Sequence, residues 1–334
     1  LVGSEMCIRD RDWYAVGDGW VFDLREVARK GVEQMRWFGW FRRGSGGSGV
    51  AAGGGEPPRR FIFVRGRRYV ADAPYMLPKD DAEVNRLDFQ HFMLRYTLRG
   101  NYAAPIQNPH DILDVGCGTG RWPIEMAAQF PNANVIGLDI VPPPVDAGQR
   151  VDTRPENYVY VQGNVLEGLQ FPDGSFDFVH QRLLLGAIPA QRWPSVVREL
   201  VRVTRPGGWV ELIEPAPVPG GGPGLATLGR WMGELTQRRG IDMRVSPQIG
   251  AGLQAAGLRG VQQRDYNIPI GRYGGRIGHM AEANYLALLT SMSSLMVTQG
   301  ITSQAAFDQA LRQAREELAT GRTVSPYYVA YGQR

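Results

Sequence analysis

Ile112-Leu113-Asp114-Val115-Gly116-Cys117-Gly118-Thr119-Gly120-Arg121-Trp122-Pro123 is the stretch from which the rest of the chain is read. An apolar run the length of a buried strand enters three glycines at alternate positions. Pro123 then opens a helix, where its missing N–H leaves nothing unsatisfied. Alternate glycines let the chain turn sharply after a strand and let a ligand approach the backbone. Downstream, short apolar runs alternate with helical segments. Strands are predicted over 112–115, 135–140, 158–162, 176–180 and 209–213, with helices over 123–129 and 194–204. Such alternation predicts a parallel sheet covered on both faces, a doubly wound Rossmann-like α/β fold. Pro206-Gly207-Gly208 makes the turn into the fifth strand. Past the glycines at 220–224, helices are predicted over 225–239, 246–256, 280–295 and 303–319, and strands over 261–268 and 327–331. The 303–319 segment carries Phe307, Ala310, Leu311, Ala314 and Leu318 as its stripe, with Gly321 as the stop.

The glycine spacing is G-x-G-x-G, not the G-x-G-x-x-G of a dinucleotide site. Asp114 stands just before it, where a carboxylate would repel a pyrophosphate but suit a ligand bearing an ammonium group. S-adenosylmethionine carries an amino group and a positive sulfonium, so charge favours this methyl donor over NAD. Asp139 ends the second predicted strand, where a carboxylate accepts both hydroxyls of a ribose. The third and fourth strands, ending near Gly163-Asn164-Val165 and His180, supply the rest of a pocket outside the carboxyl ends of the strands.

Taken together, the Asp-x-Gly-x-Gly-x-Gly of the first strand, Asp139, Phe171-Pro-Asp173-Gly-Ser-Phe176-Asp177 and Arg205-Pro-Gly-Gly208 resemble the class I S-adenosylmethionine-dependent methyltransferases, over roughly residues 69–334. Tyr75-Met-Leu-Pro78-Lys-Asp80, Arg86-Leu-Asp88-Phe-Gln90-His91, Ala104-Pro105-Ile106, Val179-His180-Gln-Arg182 and Tyr328-Val-Ala-Tyr-Gly332-Gln resemble a subgroup of fungal secondary-metabolism regulators (LaeA-like) and bacterial relatives. The resemblance implies a seven-stranded, mostly parallel sheet with its last strand antiparallel, an N-terminal helical addition and a helical insertion before the last strand. It implies S-adenosylmethionine as cofactor and S-adenosylhomocysteine as product. Gly116, Cys117, Gly118, Thr119 and Gly120 would cradle the donor. Asp114 would lie near its methionine part, Asp139 would hold the ribose, and Ile140 would lie against the adenine. Asn164 and Val165 would reach the adenine edge. Asn164 stands where members often carry Asp, and its side-chain carbonyl can still accept from the adenine amino group.

His180, placed by the predicted strand end at the mouth of the pocket, is the first candidate for a general base and a further cofactor contact, or is a structural histidine. Arg182 could orient an anionic acceptor or form a surface ion pair. Trp122 and Tyr75 could wall the pocket or simply pack. His91, on the apolar face of a helix over 80–98, could touch the acceptor or be a satisfied core residue. Asp80 or Asp81 can cap that helix and Gly100 can end it. Val84, Leu87, His91, Leu94 and Leu98 are its packing face. The helices over 80–98 and 280–319 are expected to shape the site of an unidentified, small-molecule methyl acceptor. Two other readings stay open: a non-catalytic regulator that binds the donor, and a disfavoured NAD-dependent oxidoreductase.

The chain has 334 residues, 43% hydrophobic, with a net charge of +4. No apolar run is long enough to span a membrane, and so weak a charge does not argue for nucleic acid. Cys7 and Cys117 read as unpaired thiols of a cytoplasmic protein. No metal site is expected. Residues 1–11 resemble translated sequencing-adapter sequence; they carry Glu5, Arg9, Asp10 and Arg11 and no secretory signal. Residues 12–58 read as an extension, with a possible helix over 20–43, and a Gly-rich linker. Residues 59–110 read as a helical cap, and 111–334 as the methyltransferase domain. Arg59, Arg60, Arg65, Arg67 and Arg68 read as a solvated or salt-bridging surface.

Overall fold

A computed structural model describes residues 61–71, 73–143 and 154–334. The adapter-like residues, the extension and linker, Arg59 and Arg60 lie outside the described residues.

The chain first forms a hairpin, β1 (Phe61–Val64) and β2 (Arg67–Val70), paired antiparallel from Phe61↔Val70 to Val64↔Arg67. Arg65 and Gly66 both take positive φ, 50° and 79°, the backbone a two-residue hairpin turn requires. Of the basic cluster, Arg67 forks onto Asp80, with Nε 2.8 Å from Oδ2 and Nη2 2.7 Å from Oδ1. The hairpin was not among the expected elements, because eight strand residues without apolar alternation, with Arg67 and Arg68 among them and Arg65 in the turn, read as surface.

Helix α1 (Asp81–Leu98) follows, capped by Asp80, whose Oδ1 accepts from Glu83 N at 3.1 Å. Its C-cap is Arg99, one residue before Gly100, and Arg99 itself takes the left-handed conformation, φ 57°. Its packed face also differs from the apolar one expected. Glu83, Arg86, Gln90 and His91 are buried alongside Met93 and Leu94, whereas Val84, Leu87 and Leu98 stay half-buried. The reason is a polar seam to a later helix. Arg86 forks onto Glu83 and reaches Asn284 at 2.9 Å and Gln90 at 3.2 Å, while Ser291 donates to Glu83 at 3.0 Å. Every group in this buried seam finds a partner, as burial of charge demands.

The main sheet has seven strands: β3 (Asp111–Val115), β4 (Asn134–Asp139), β5 (Tyr158–Gln162), β6 (Phe176–Arg182), β7 (Thr204–Pro215), β8 (Arg259–Ile270) and β9 (Thr323–Gln333), in the order β5-β4-β3-β6-β7-β9-β8. The pairs among β5, β4, β3, β6 and β7 are parallel, and β9 runs antiparallel to both its neighbours. The sheet is therefore mostly parallel with its last strand reversed. Strands β6 and β7 overrun their expected spans, ending at Arg182 and Pro215.

Helices connect the strands: α2 (Arg121–Gln129) between β3 and β4, and α3 (Trp193–Val203), with Pro194 in its first turn, between β6 and β7. Helices α4 (Pro223–Gln237) and α5 (Ile249–Ala255) lead to β8, and α6 (Gly275–Thr298) and α7 (Gln304–Thr320) lead to β9. Phe307, Ala310, Ala314 and Leu318 of α7 are buried as their stripe requires, and Gly321 is its C-cap. One core joins Met93, Leu228, Leu289, Met296, Phe307 and Tyr327 under these helices; a second joins Ile112, Trp122, Met126, Val135 and Phe178 beneath α2. No helix of the described residues is long and apolar enough to cross a membrane.

Candidate functional site

The parallel strands end at one edge, and the segments that follow β3, β4, β5 and β6 line a cleft there. Its walls are 115–119, 138–140, 163–166 and 182–184 with Ala187 and Ile188; Tyr75, Lys79 and Leu87 close it from the α1 side. Gly116, Gly118 and Gly120 have φ of 77°, 58° and 78°. Each glycine does a different job. A Cβ on Gly116 would lie 2.6 Å from Leu184 Cδ2, so the loop after β6 presses directly on the glycine turn. Among the described residues a Cβ on Gly118 would meet nothing within 4 Å, so its backbone faces the cleft. Gly120 is the N-cap of α2 and does not line the cleft.

Asp139, 8% exposed, aims both oxygens at the rim. Oδ2 accepts from Gly118 N at 2.9 Å, Oδ1 accepts from Val141 N at 3.1 Å, and Lys79 Nζ lies 3.7 Å from Oδ1. Each oxygen keeps lone-pair capacity for a further donor. Lys79 also sits 5.0 Å from the Tyr75 ring centroid. Burial works against its ammonium, but the surrounding acidic groups, Asp139 foremost, together outweigh burial and raise the pKa. Burial pushes the Tyr75 hydroxyl up to about 12, so it stays protonated. Lys79 was quoted in the sequence only within a motif; nothing there paired it with Asp139, sixty residues on.

Asp114 and His180 do not face the cleft. Asp114 is 1% exposed and its Oδ1 lies 2.8 Å from His180 Nδ1. The His180 ring is fully buried and stacked on Trp122 with centroids 3.8 Å apart. Its Nε2 lies 3.9 Å from Glu211 Oε1, and Glu211 Oε2 accepts from Ala103 N and Ala104 N at 2.7 and 2.6 Å. The three residues are in register across β3, β6 and β7. Burial lowers the His180 pKa against the pull of Asp114, and burial pushes Glu211 up to about 7. Of the two readings of His180 the structural one fits this burial, and the base at the mouth does not, because β6 runs two residues further than predicted. Two residues carry the chain about 6.6 Å and return it to the same face, so Arg182 takes the place foreseen for His180. The acid hydrogen-bonded to the glycine loop is likewise Asp139 rather than Asp114, which leaves the G-x-G-x-G spacing as the feature that sets this loop apart from a dinucleotide site.

The remaining expected residues divide. Cys117, Thr119, Ile140, Asn164, Val165, Tyr75 and Arg182 line the cleft. Burial raises the Cys117 thiol well above its usual pKa, so it is no nucleophile. Asn164 Oδ1 caps the short turn after β5, accepting from Leu166 N at 3.1 Å, and its amide donates to Glu167 at 2.7 Å. One lone pair of that oxygen remains. Trp122 is fully buried, its indole donating to Asn101 O at 2.6 Å, and is a core residue rather than a pocket wall. His91 is buried behind Arg182, whose Nη2 lies 2.8 Å from Nδ1, and its Nε2 lies 3.1 Å from Glu125 Oε1. Glu214 was not singled out in the sequence. It is buried, and its two oxygens accept from Leu184 N and Leu185 N at 3.1 and 2.9 Å, fixing the loop after β6. Burial pushes it up to about 8. Two acids spaced in the apolar run Trp209-Val-Glu-Leu-Ile-Glu214 are the signal that could have found it and Glu211.

Residues 112–208 match the family described as a methyltransferase domain. The chain is 30% identical over 227 residues to the methyltransferase pytC of Aspergillus terreus, covering 64% of this chain and 67% of that protein. It is 32% identical over 209 residues to the secondary metabolism regulator LAE1 of Cochliobolus heterostrophus, covering 58% and 66%. It is 39% identical over 142 residues to the methyltransferase str3 of Strobilurus tenacellus, covering 42% and 48%. The chain thus spans about half to two thirds of the length of these relatives.

Proposed function

The chain belongs to the class I S-adenosylmethionine-dependent methyltransferases, and from that premise we propose that it transfers the methyl group of S-adenosylmethionine to a small-molecule acceptor. The observation that carries this reading is the bare backbone of Gly118, which faces open cleft with the Asp139 carboxylate 2.9 Å from its nitrogen. A side-chain-free turn beside a carboxylate with free lone pairs fits a ribose and a cationic sulfur. When bound, the cofactor supplies a methyl group already activated on a sulfonium, open to in-line displacement.

The chain's own part is then chiefly placement, which contributes on the order of 7–11 kcal/mol where two reactants are held in attack geometry. Asp139 would accept from the ribose hydroxyls, Ile140 and Val165 would flank the adenine, and Asn164 would meet its edge. Tyr75 and Lys79 close the cleft and exclude water, which strengthens the local electrostatics. His180 is sealed under Trp122 and takes no proton from an acceptor. The buried free thiol of Cys117 accords with a reducing, cytoplasmic setting. A second reading, a regulator that binds the donor without turnover, is favoured by the likeness to a secondary metabolism regulator.

Calorimetric titration of the full chain tests the site. S-adenosylhomocysteine is expected to bind in the micromolar range and NAD to give no heat. Asp139→Ala is expected to weaken S-adenosylhomocysteine at least tenfold, about 1.4 kcal/mol. No binding to the folded chain would end the enzyme reading; turnover of any acceptor would end the purely regulatory one.

A further inference from the structure

Arg182 is the last residue of β6 and lines the cleft, yet among the described residues no carboxylate lies within ion-pair distance of its guanidinium. Its resolved partner is His91, 2.8 Å from Nη2. A guanidinium can only donate, so His91 Nδ1 accepts, and the ring proton must sit on Nε2, facing Glu125 Oε1 at 3.1 Å. His91 is therefore neutral. It fixes the fork of Arg182 without cancelling its charge. Burial lowers the His91 pKa, which keeps it in that neutral form.

The chain around Arg182 is built tightly. Leu183, the next residue, is held at φ 61°, a left-handed conformation that a branched side chain adopts at a cost of about 1–2 kcal/mol. Leu183 N donates to Ile213 O at 2.9 Å, and Glu214 takes the next two N–H groups. Backbone strain of this kind persists where the surroundings over-determine it, typically beside ligands. Asp114, Glu125, Asp88 and Glu211 act on Arg182 only from beyond ion-pair distance, and burial outweighs them; a half-buried cation whose direct partner is neutral, set on a strained and clamped turn, calls for an anion from the cleft side.

The strand order says which anion. Across the rim run Asn164 after β5, Asp139 at the end of β4, the glycine turn after β3, and Arg182 at the end of β6. A nucleoside with its base at β5 and its ribose at β4 points its far arm at β6, about 10 Å or two strand spacings from Asp139. We infer that Arg182 is the carboxylate-binding residue of the cleft, that His91 is its positioning residue, and that the carboxylate is the one on the amino-acid arm of the cofactor. This rests on the reading of the cleft as the cofactor site. A guanidinium fork suits a carboxylate bidentately, as a lysine would not.

The test compares S-adenosylhomocysteine with 5′-methylthioadenosine, which keeps the adenine, ribose and sulfur but lacks the amino-acid arm. In the full chain, Arg182→Met is expected to weaken S-adenosylhomocysteine at least tenfold, about 1.4 kcal/mol, and to leave 5′-methylthioadenosine within about twofold. Normal binding of the latter also shows that the variant has folded. Arg182→Lys keeps the charge without the fork and is expected to fall between wild type and Arg182→Met. His91→Phe is expected to lower the ratio of the two affinities, a readout that a merely structural role would not move. Equal loss for both ligands, or loss for neither, overturns the proposal; in the second case a carboxylate on the acceptor is the other source, to be read as an Arg182→Met effect on acceptor KM. Wild-type chain that binds neither nucleoside would instead remove the cofactor reading itself.

Discussion

Asp139 and Arg182 end β4 and β6 at the rim of the cleft, while Asp114, His180 and Glu211 cross β3, β6 and β7 just below it. Both sets combine acids with a base, and both come from the same parallel strands. The rim groups keep unused hydrogen-bonding capacity and face space. The lower groups are at most 1% exposed and turn to one another, to backbone N–H groups and to the Trp122 stack; the atoms they leave without a hydrogen bond, His180 Nε2 and Glu211 Oε1, are 3.9 Å apart and sealed from the cleft. The lesson is that, along a strand end, one pleat separates a residue that meets ligand from one that holds the fold. The division can be broken experimentally, because the lower row should answer in stability and the rim in affinity.

The largest effect is expected from Asp114→Ala. It strips the partner from a fully buried imidazole, and breaking a buried pair costs about 3 kcal/mol or more. Denaturant unfolding would register this. A stable Asp114→Ala chain that failed to bind S-adenosylhomocysteine would mean that Asp114 belongs to the rim after all. Next comes Gly116→Ala, which forces a Cβ into a left-handed residue and toward Leu184 at 2.6 Å. About 2 kcal/mol is expected from the backbone alone. Thermal melting and titration should fall together here, since this glycine joins the turn to the loop that carries Arg182.

The smallest change is expected from Glu211→Gln, and it should appear as a slope. Burial raises this carboxyl from 4.5 to about 7, so the folded chain holds its proton to higher pH than the unfolded chain does. Its contribution to stability is then present below about pH 4.5 and is lost as pH rises toward 7. Glutamine keeps an acceptor for Ala103 N and Ala104 N and does not titrate. Melting temperatures between pH 5 and 7 should therefore decline less steeply in Glu211→Gln than in the parent. A residual decline toward pH 8 is expected from Glu214. A parallel decline in parent and variant would show that Glu211 titrates normally.

Much of the architecture was legible because the glycine turn and the alternating runs are local signals. The order of strands and helices from Asp111 to Gln333 follows from them. What was not legible depends on contacts distant in sequence. The face of α1 looked apolar at Val84, Leu87 and Leu98, but Asn284 and Ser291 of α6 recruit Glu83 and Arg86 instead. Trp122 and His91 looked like pocket candidates and are enclosed by neighbours no spacing reveals. His180 was misplaced by a strand end two residues early, an error that periodicity cannot detect because it preserves the face. Asp139 and the turn at Gly116 and Gly118 were found because their roles follow from where a strand stops.

The position of β9 between β7 and β8 has a consequence for biosynthesis. Among the described residues β8 pairs only with β9, which the ribosome reaches after the intervening residues 271–322. At 5–20 residues per second, β8 waits roughly 3–10 s without its hydrogen-bonding partner. An unpaired strand invites pairing with other chains, and charged or amide side chains discourage it. Arg259, Gln262, Gln263, Arg264, Asp265 and Asn267 supply that protection along most of β8. The polar character of this strand, unremarkable in the finished sheet, is what lets the nascent chain stay clear of aggregation until its central partner is made.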